Sequence, residues 1–73
     1  MMKPNEILKM KKMVITDLFN KNGYIKGFGP KLCRVMDSEH NPLYNISREI
    51  IDGLIADGKL KKDGLIFKLN LEN

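Results

Sequence analysis

The sequence predicts a small α+β domain in which two helices pack over a C-terminal β-hairpin, and three observations lead to this fold class. A chain of 73 residues is long enough for one domain at most, so residues 1–73 are expected to form a single unit. Apolar residues make up 42% and charged residues 30% of the chain, which is typical of a globular protein and not of a disordered one. Two segments have apolar residues at helical spacing, and the second precedes a turn signal, Asp63-Gly64, between two apolar runs.

The first helix is predicted from about residue 5 to residue 21. Apolar side chains recur along it at helical spacing, at Ile7, Met10, Val14 and Leu18. Asn22-Gly23 supplies a left-handed stop, and residues 1–4 are expected to be a flexible tail. Lys11 projects into the middle of the apolar arc. Either its aliphatic stem lies at the rim of the core, or the first turns of the helix extend past the domain.

Residues 23–31 are predicted to be a connection, because they contain three glycines and a proline. Residues 32–46 have two interpretations. In one they form a second hairpin, with strands at 32–37 and 43–46. In the other, residues 30–39 are a short helix with Pro30 at its first position. The cluster of turn-forming residues between the two apolar runs favours the hairpin.

The second helix is predicted to follow Ser47, whose hydroxyl can cap it, and to end at Asp57-Gly58. Its buried stripe consists of Ile50, Ile51, Leu54 and Ile55. Gly53 lies in the helix interior, where it costs about 1 kcal/mol relative to Ala. Close packing against the first helix would explain why a glycine stands there.

A tight basic hairpin closes the chain, with strands at 59–62 and 65–69 around Asp63-Gly64. A long helix, a connection, a helix ending in Asp-Gly and this hairpin together resemble the winged helix-turn-helix architecture, most closely over residues 46–69. The resemblance implies a small winged-helix-like domain with a DNA-binding role. Residues 34–67 are also similar to small proteins of phages and mobile elements, a likeness that assigns no activity.

The charge is unevenly distributed along the chain, which has a net charge of +4. Residues 1–34 contain eight basic and two acidic residues, whereas residues 35–73 contain five basic and seven acidic ones. A polyanion is therefore expected to meet the N-terminal half first. The helix that matches the family's recognition helix, at 47–57, carries three carboxylates and one arginine. The family's recognition role therefore does not transfer to it.

Two basic segments are candidates for nucleic-acid binding. In residues 21–34, Tyr24 and Phe28 alternate with cations on a glycine-rich backbone, a combination that binds single strands. The alternative is that both rings fill the core and the lysines are merely solvated. The hairpin lysines either contact DNA phosphates as a wing or protect an edge strand from aggregation. The predicted phosphate contacts are Lys9, Lys12, Lys26, Lys31, Arg34, Lys59, Lys61 and Lys62.

The functional hypothesis is a non-catalytic nucleic-acid-binding or accessory module that binds DNA or a single-stranded nucleic acid. The alternative is a module for protein–protein interaction or self-association, which uses the first helix with Met10 and Met13 against a protein partner or a second copy. Lys11 within the apolar arc and the acidic second helix motivate this alternative.

Catalysis, cofactor binding and metal binding are not predicted. Cys33 and His40 are the only soft ligands, which is too few for a structural zinc site, and no third group orients them as a nucleophile and base. The glycines of residues 23–29 lack the spacing of a phosphate-binding loop. A lone cysteine, no signal peptide and no apolar run of membrane-spanning length predict a cytoplasmic protein.

Overall fold

The computed structural model describes residues 3–71, which form two helices and five strands. In chain order the elements are α1 (Pro4–Lys21), β1 (Tyr24–Gly27), β2 (Leu32–Met36), β3 (Pro42–Ser47), α2 (Arg48–Ala56), β4 (Leu60–Asp63) and β5 (Ile66–Leu69). The strands make one antiparallel sheet in the order β3-β2-β1-β5-β4. The predicted α+β class with two main helices is confirmed.

Both helices cover the same face of the sheet. Ile25 in β1 is paired with Val35 on one side and with Phe67 on the other, and all three side chains are buried. Because side chains alternate between the faces of a strand, this register assigns one face to the core. The core cluster joins that face to the buried stripes of α1 and α2 (Val14, Leu18, Ile25, Cys33, Val35, Ile46, Ile50, Ile51, Leu54, Leu60 and Phe67).

The helix α1 begins at Pro4, one residue before the predicted start, and the proline costs nothing there because the first helical N–H has no intrahelical partner. Of the expected flexible tail, residues 1 and 2 lie outside the described residues. The helix ends at Lys21, and Asn22 follows as its C-cap with a left-handed φ of 53°. Gly23 is needed for a different reason, since a β-carbon there would overlap the carbonyl oxygen of Met36.

The hairpin interpretation of residues 32–46 is confirmed, and the short helix is wrong. Strands β2 and β3 pair from Leu32↔Ser47 to Met36↔Pro42, with an irregularity at Val35/Met36. Asp37 holds the intervening turn, where its Oδ1 accepts from the N–H groups of Glu39 and Asn41, both at 2.9 Å. A side chain that bonds to the backbone ahead of it stabilises a turn at the expense of a helix.

The central strand β1 lies where the sequence predicts only a connection, and this prediction is wrong. Its four residues bury one side chain, Ile25, so the segment has too few apolar residues to signal a strand by itself. It becomes a strand because β2 pairs with it along one edge and β5 along the other.

The helix α2 is capped as predicted, since the Ser47 hydroxyl accepts from the N–H of Glu49 at 3.2 Å. Ile50, Ile51 and Leu54 are buried, whereas Ile55, which the predicted stripe included, is exposed. Close packing against α1 does occur at Gly53: a β-carbon there would lie 2.8 Å from Cε of Lys11. The Lys11 stem thus lies at the rim of the core, as one of the two interpretations held.

The C-terminal hairpin is also confirmed, with its turn one residue later than predicted. Asp63 pairs with Ile66, so the two loop residues are Gly64 and Leu65. Gly64 has a φ of +65°, which suits a glycine at the first loop position. The winged-helix architecture is not confirmed, because residues 3–71 contain two helices separated by three strands and the hairpin is joined to the sheet through β1.

Candidate functional site

The face of the sheet opposite the helices is basic, and we call it the open face. The alternation that sends Ile25, Val35 and Phe67 into the core sends their neighbours to this second face. Within residues 3–71, the charged side chains of its strands are four cations and one carboxylate: Lys26, Arg34, Lys61, Lys68 and Asp63. Such a surface attracts anions.

The centre of the open face holds two cations directly across from each other. Lys26 in β1 is the cross-strand partner of Arg34 in β2. Arg34 Nε donates to Oδ1 of Asn45 on the next strand at 3.1 Å, which fixes the guanidinium in position. Within residues 3–71, neither cation has a carboxylate partner at ion-pair distance. Like charges directly opposite on neighbouring strands destabilise a sheet, and a bound anion would offset that repulsion.

An aromatic ring adjoins this pair of cations. Phe28 follows β1 directly, and its N–H donates to the carbonyl oxygen of Leu32 at 3.0 Å, which closes the β1–β2 hairpin. The Arg34 guanidinium lies 4.2 Å from the centroid of its ring. Phe28 is nevertheless 51% exposed, so the interpretation that places it in the core is wrong.

Tyr24 is the first residue of β1 and is half-buried. Its hydroxyl is 2.7 Å from Nδ1 of His40, and the two rings meet edge to face. Tyr24 therefore belongs to a local contact with the β2–β3 turn. Phe28 is the more available ring of the predicted basic and aromatic segment.

The hairpin contributes two lysines to the open face. Lys61 and Lys68 are cross-strand partners on β4 and β5, and both side chains are exposed. Lys68 Nζ lies 3.3 Å from Oδ2 of Asp63, which neutralises part of the local charge. Lys68 was not among the residues predicted from the sequence. Lys68 lies between the apolar Phe67 and Leu69, and strand alternation places it on the face opposite to theirs, which is the signal that could have indicated it.

The eight predicted phosphate contacts do not all lie on this face. Lys26, Arg34 and Lys61 do. Lys12 and Lys59 instead line a groove on the helix side of the sheet, where Leu8, Lys11 and Asp57 also contribute. The remaining three predicted contacts are Lys9, which is exposed on α1, Lys31, which lies in the β1–β2 turn, and Lys62, which shares the helix-covered side with its partner Phe67.

A second surface feature is an apolar groove at the C-terminal end of α1. Phe19, Leu69 and Leu71 line it, together with Tyr24, His40 and the open-face residue Lys68. Phe19 is 71% and Leu71 is 77% exposed, which is unusual for side chains of this size.

The two soft ligands of the chain occupy different environments. Cys33 is fully buried in the core, and this burial raises the pKa of its thiol. His40 is exposed in the β2–β3 turn. In the part of the chain from residue 3 to residue 71, no cluster of three or more His, Cys, Asp or Glu side chains is arranged to hold a metal ion.

The longest helix, α1, is too polar to cross a membrane, and the shorter α2 does not qualify either, so residues 3–71 contain no candidate spanning helix. Compared with protein-family models, curated proteins and solved structures, the chain matches none of them.

Proposed function

We propose that this protein is a non-catalytic nucleic-acid-binding module that contacts phosphates through the open face of its sheet. The observation that carries the proposal is the cross-strand pair of Lys26 and Arg34, which has no carboxylate partner within residues 3–71. Two cations directly opposite each other destabilise a sheet, and two phosphates of a bound polyanion would neutralise them.

The remaining charges of the open face extend this contact surface. Lys61 and Lys68 add positive charge to this surface, and among the residues that the structure describes Asp63 opposes it beside Lys68. If the four cations each neutralise one phosphate of a single strand, the logarithm of affinity falls with the logarithm of salt at a slope of about −3. Affinity then drops about 50-fold between about 50 and 200 mM salt.

The proposal compares only two elements with the winged-helix family: α2, which matches the recognition helix, and the β4–β5 hairpin, which matches the wing. Lys61 in that hairpin belongs to the open face, where it would contact the nucleic-acid backbone as a wing commonly does. We do not assign a recognition role to α2, because it lies on the other side of the sheet and carries Glu49, Asp52 and, at its end, Asp57. The buried thiol of Cys33 fits a reducing compartment, so we place the protein in the cytoplasm.

The proposal is tested with two double variants that remove the same charge from opposite sides of the sheet. Fluorescence anisotropy with a labelled oligothymidylate of about 12 nucleotides measures affinity over a range of salt concentrations. K26Q/R34Q is expected to weaken binding at least about tenfold and to reduce the salt slope by about 1.4, since two phosphate contacts are lost. K9Q/K12Q changes the net charge equally on α1, and its salt slope is expected to stay near that of the wild type.

Two results would overturn the proposal. One is an affinity that does not change with salt, since phosphate contacts require that dependence. The other is an equal loss in the two double variants, which would mean that net charge alone attracts the probe.

A protein-interaction module is the second candidate, and the apolar groove favours it. Phe19 and Leu71 both line this groove and are both largely exposed. The two methionines proposed for this role differ in exposure: Met10 is partly buried against the core, and Met13 is 41% exposed. Sedimentation velocity over a range of concentrations tests the self-association form of this candidate. A dimer that F19S abolishes would support it, and a monomer at all concentrations would remove it.

A further inference from the structure

We infer that the open face binds single-stranded nucleic acid and that an unpaired base stacks on the ring of Phe28. This inference rests on the proposed function and adds the ligand class and the residue that recognises it. Its basis is the position and exposure of one aromatic side chain beside the central cations.

The ring of Phe28 is exposed at a defined place beside the central cations. One face is covered by the Arg34 guanidinium at 4.2 Å, yet half of the side chain remains exposed. The exposed part therefore lies on the opposite face and on the ring edge. The backbone bond from Phe28 to Leu32 and the left-handed Gly29 after it fix the place of the ring at the end of the hairpin. An exposed aromatic ring is a group on which a base stacks.

The cations lie at the right distance for the same nucleotide. Lys26 is two residues before Phe28, and side chains two residues apart on one face of a strand are separated by about 7 Å. Arg34 contacts the ring itself and is opposite Lys26. A base on Phe28 thus brings its own phosphate within reach of these two side chains, which combines stacking with charge neutralisation.

A duplex fits this face less well. Its bases are already stacked on one another, so the ring of Phe28 has no base face to contact. Reading the major groove requires an element that enters a groove about 12 Å wide. Both helices lie on the other side of the sheet, and five strands side by side span about 19 Å. A duplex could therefore contact the open face only through its phosphates.

Three probes of equal length separate these possibilities: an oligothymidylate, the same backbone with abasic sites, and a duplex. Each is titrated by anisotropy against the full chain, F28L and F19L. F28L is expected to weaken oligothymidylate binding about tenfold or more while it changes the other two probes little, because only that probe offers unpaired bases. F19L removes an exposed ring from the apolar groove, which Lys68 also lines, and is expected to weaken oligothymidylate binding much less than F28L does.

A second variant provides a direct signal of stacking. The chain contains no tryptophan, so F28W introduces a unique fluorophore at the site. Its emission is expected to be quenched by the oligothymidylate and not by the abasic probe. This measurement keeps the inference testable if F28L, checked by circular dichroism, proves to be poorly folded.

The outcomes distinguish the two proposals. If all three probes bind with equal, salt-dependent affinity and F28L binds like the wild type, the inference fails and the proposed function stands. If no probe binds, both fail. Quenching of F28W by the abasic probe to the same extent would also overturn the stacking contact.

Discussion

Replacing Gly53 with Ala should fail to stabilise the protein, although an alanine normally strengthens a helix interior. A β-carbon at position 53 would lie 2.8 Å from Cε and 3.0 Å from Nζ of Lys11. These distances are too short, so the lysine side chain must move. The same Nζ donates to Oδ2 of Asp57 at 2.9 Å, and the movement breaks that ion pair.

The two effects are similar in size and opposite in sign. Ala in place of Gly stabilises a helix interior by about 1 kcal/mol. The side chains of Lys11 and Asp57 are 21% and 48% exposed, so their ion pair is worth at most about 1 kcal/mol. Displacing the lysine costs little more, because its end is flexible. Because Lys11 is mostly buried, its ion pair is expected in the upper part of that range, at about 0.5–1 kcal/mol, so the free energy of unfolding of G53A should stay within about 0.5 kcal/mol of the wild type.

Urea unfolding of four proteins measures this coupling: the wild type, G53A, K11A and K11A/G53A. Without the lysine side chain, G53A should regain its full stabilisation of about 1 kcal/mol. The control is K12A, since Lys12 is an exposed neighbour in α1 with no contact to Gly53. G53A should behave in that background as it does in the wild type. If G53A added about 1 kcal/mol in every background, the close contact between Lys11 and Gly53 would be refuted.

Three further predictions concern the core and the turns. Tyr44 Oη donates to Oδ2 of Asp17 at 2.6 Å in a partly buried site, so Y44F should lower the free energy of unfolding by about 1–2 kcal/mol in urea unfolding. Burial, and then the hydrogen bond and charge of Asp17, raise the pKa of Tyr44 far above its usual range. Because an unfolded tyrosine ionises near pH 10, wild-type stability should fall above about pH 10 more steeply than that of Y44F, and parallel curves would contradict this reasoning. The backbone N–H of Asn41 lowers the pKa of the Asp37 carboxyl. Its contribution to stability should be complete above the usual pKa of about 3.9 and lost as the pH falls through the lower folded value. An NMR titration that found the pKa of Asp37 at or above the usual value would refute this. Cys33 is buried and its thiol pKa is raised by that burial, so a thiol reagent should label it in urea and not in the native protein, and rapid native labelling would argue against the buried position.

Local signals in the sequence were sufficient for most of the elements. The apolar spacing of α1, the Ser47 cap of α2 and the turn-forming residues around Asp37 each act within a few neighbouring residues. Helix periodicity, capping and turn chemistry depend on such short separations. The sequence also showed that residues 21–34 combine cations with two aromatic rings, but it left open whether those rings are buried, and the structure exposes Phe28 and half-buries Tyr24.

The sheet and the surface it presents required the tertiary structure. The four residues of β1 carry one buried side chain, and they form a strand only because β2 and the distant β5 pair with them. That pairing sets Lys26 opposite Arg34, places Lys68 on the same face and leaves Lys9 and Lys12 on the helix α1, away from it. Which lysines share a face follows from strand order and register, and these are decided by burial summed over the whole molecule. The residues next to a lysine in the chain do not determine this total burial, so they do not indicate which face the lysine occupies.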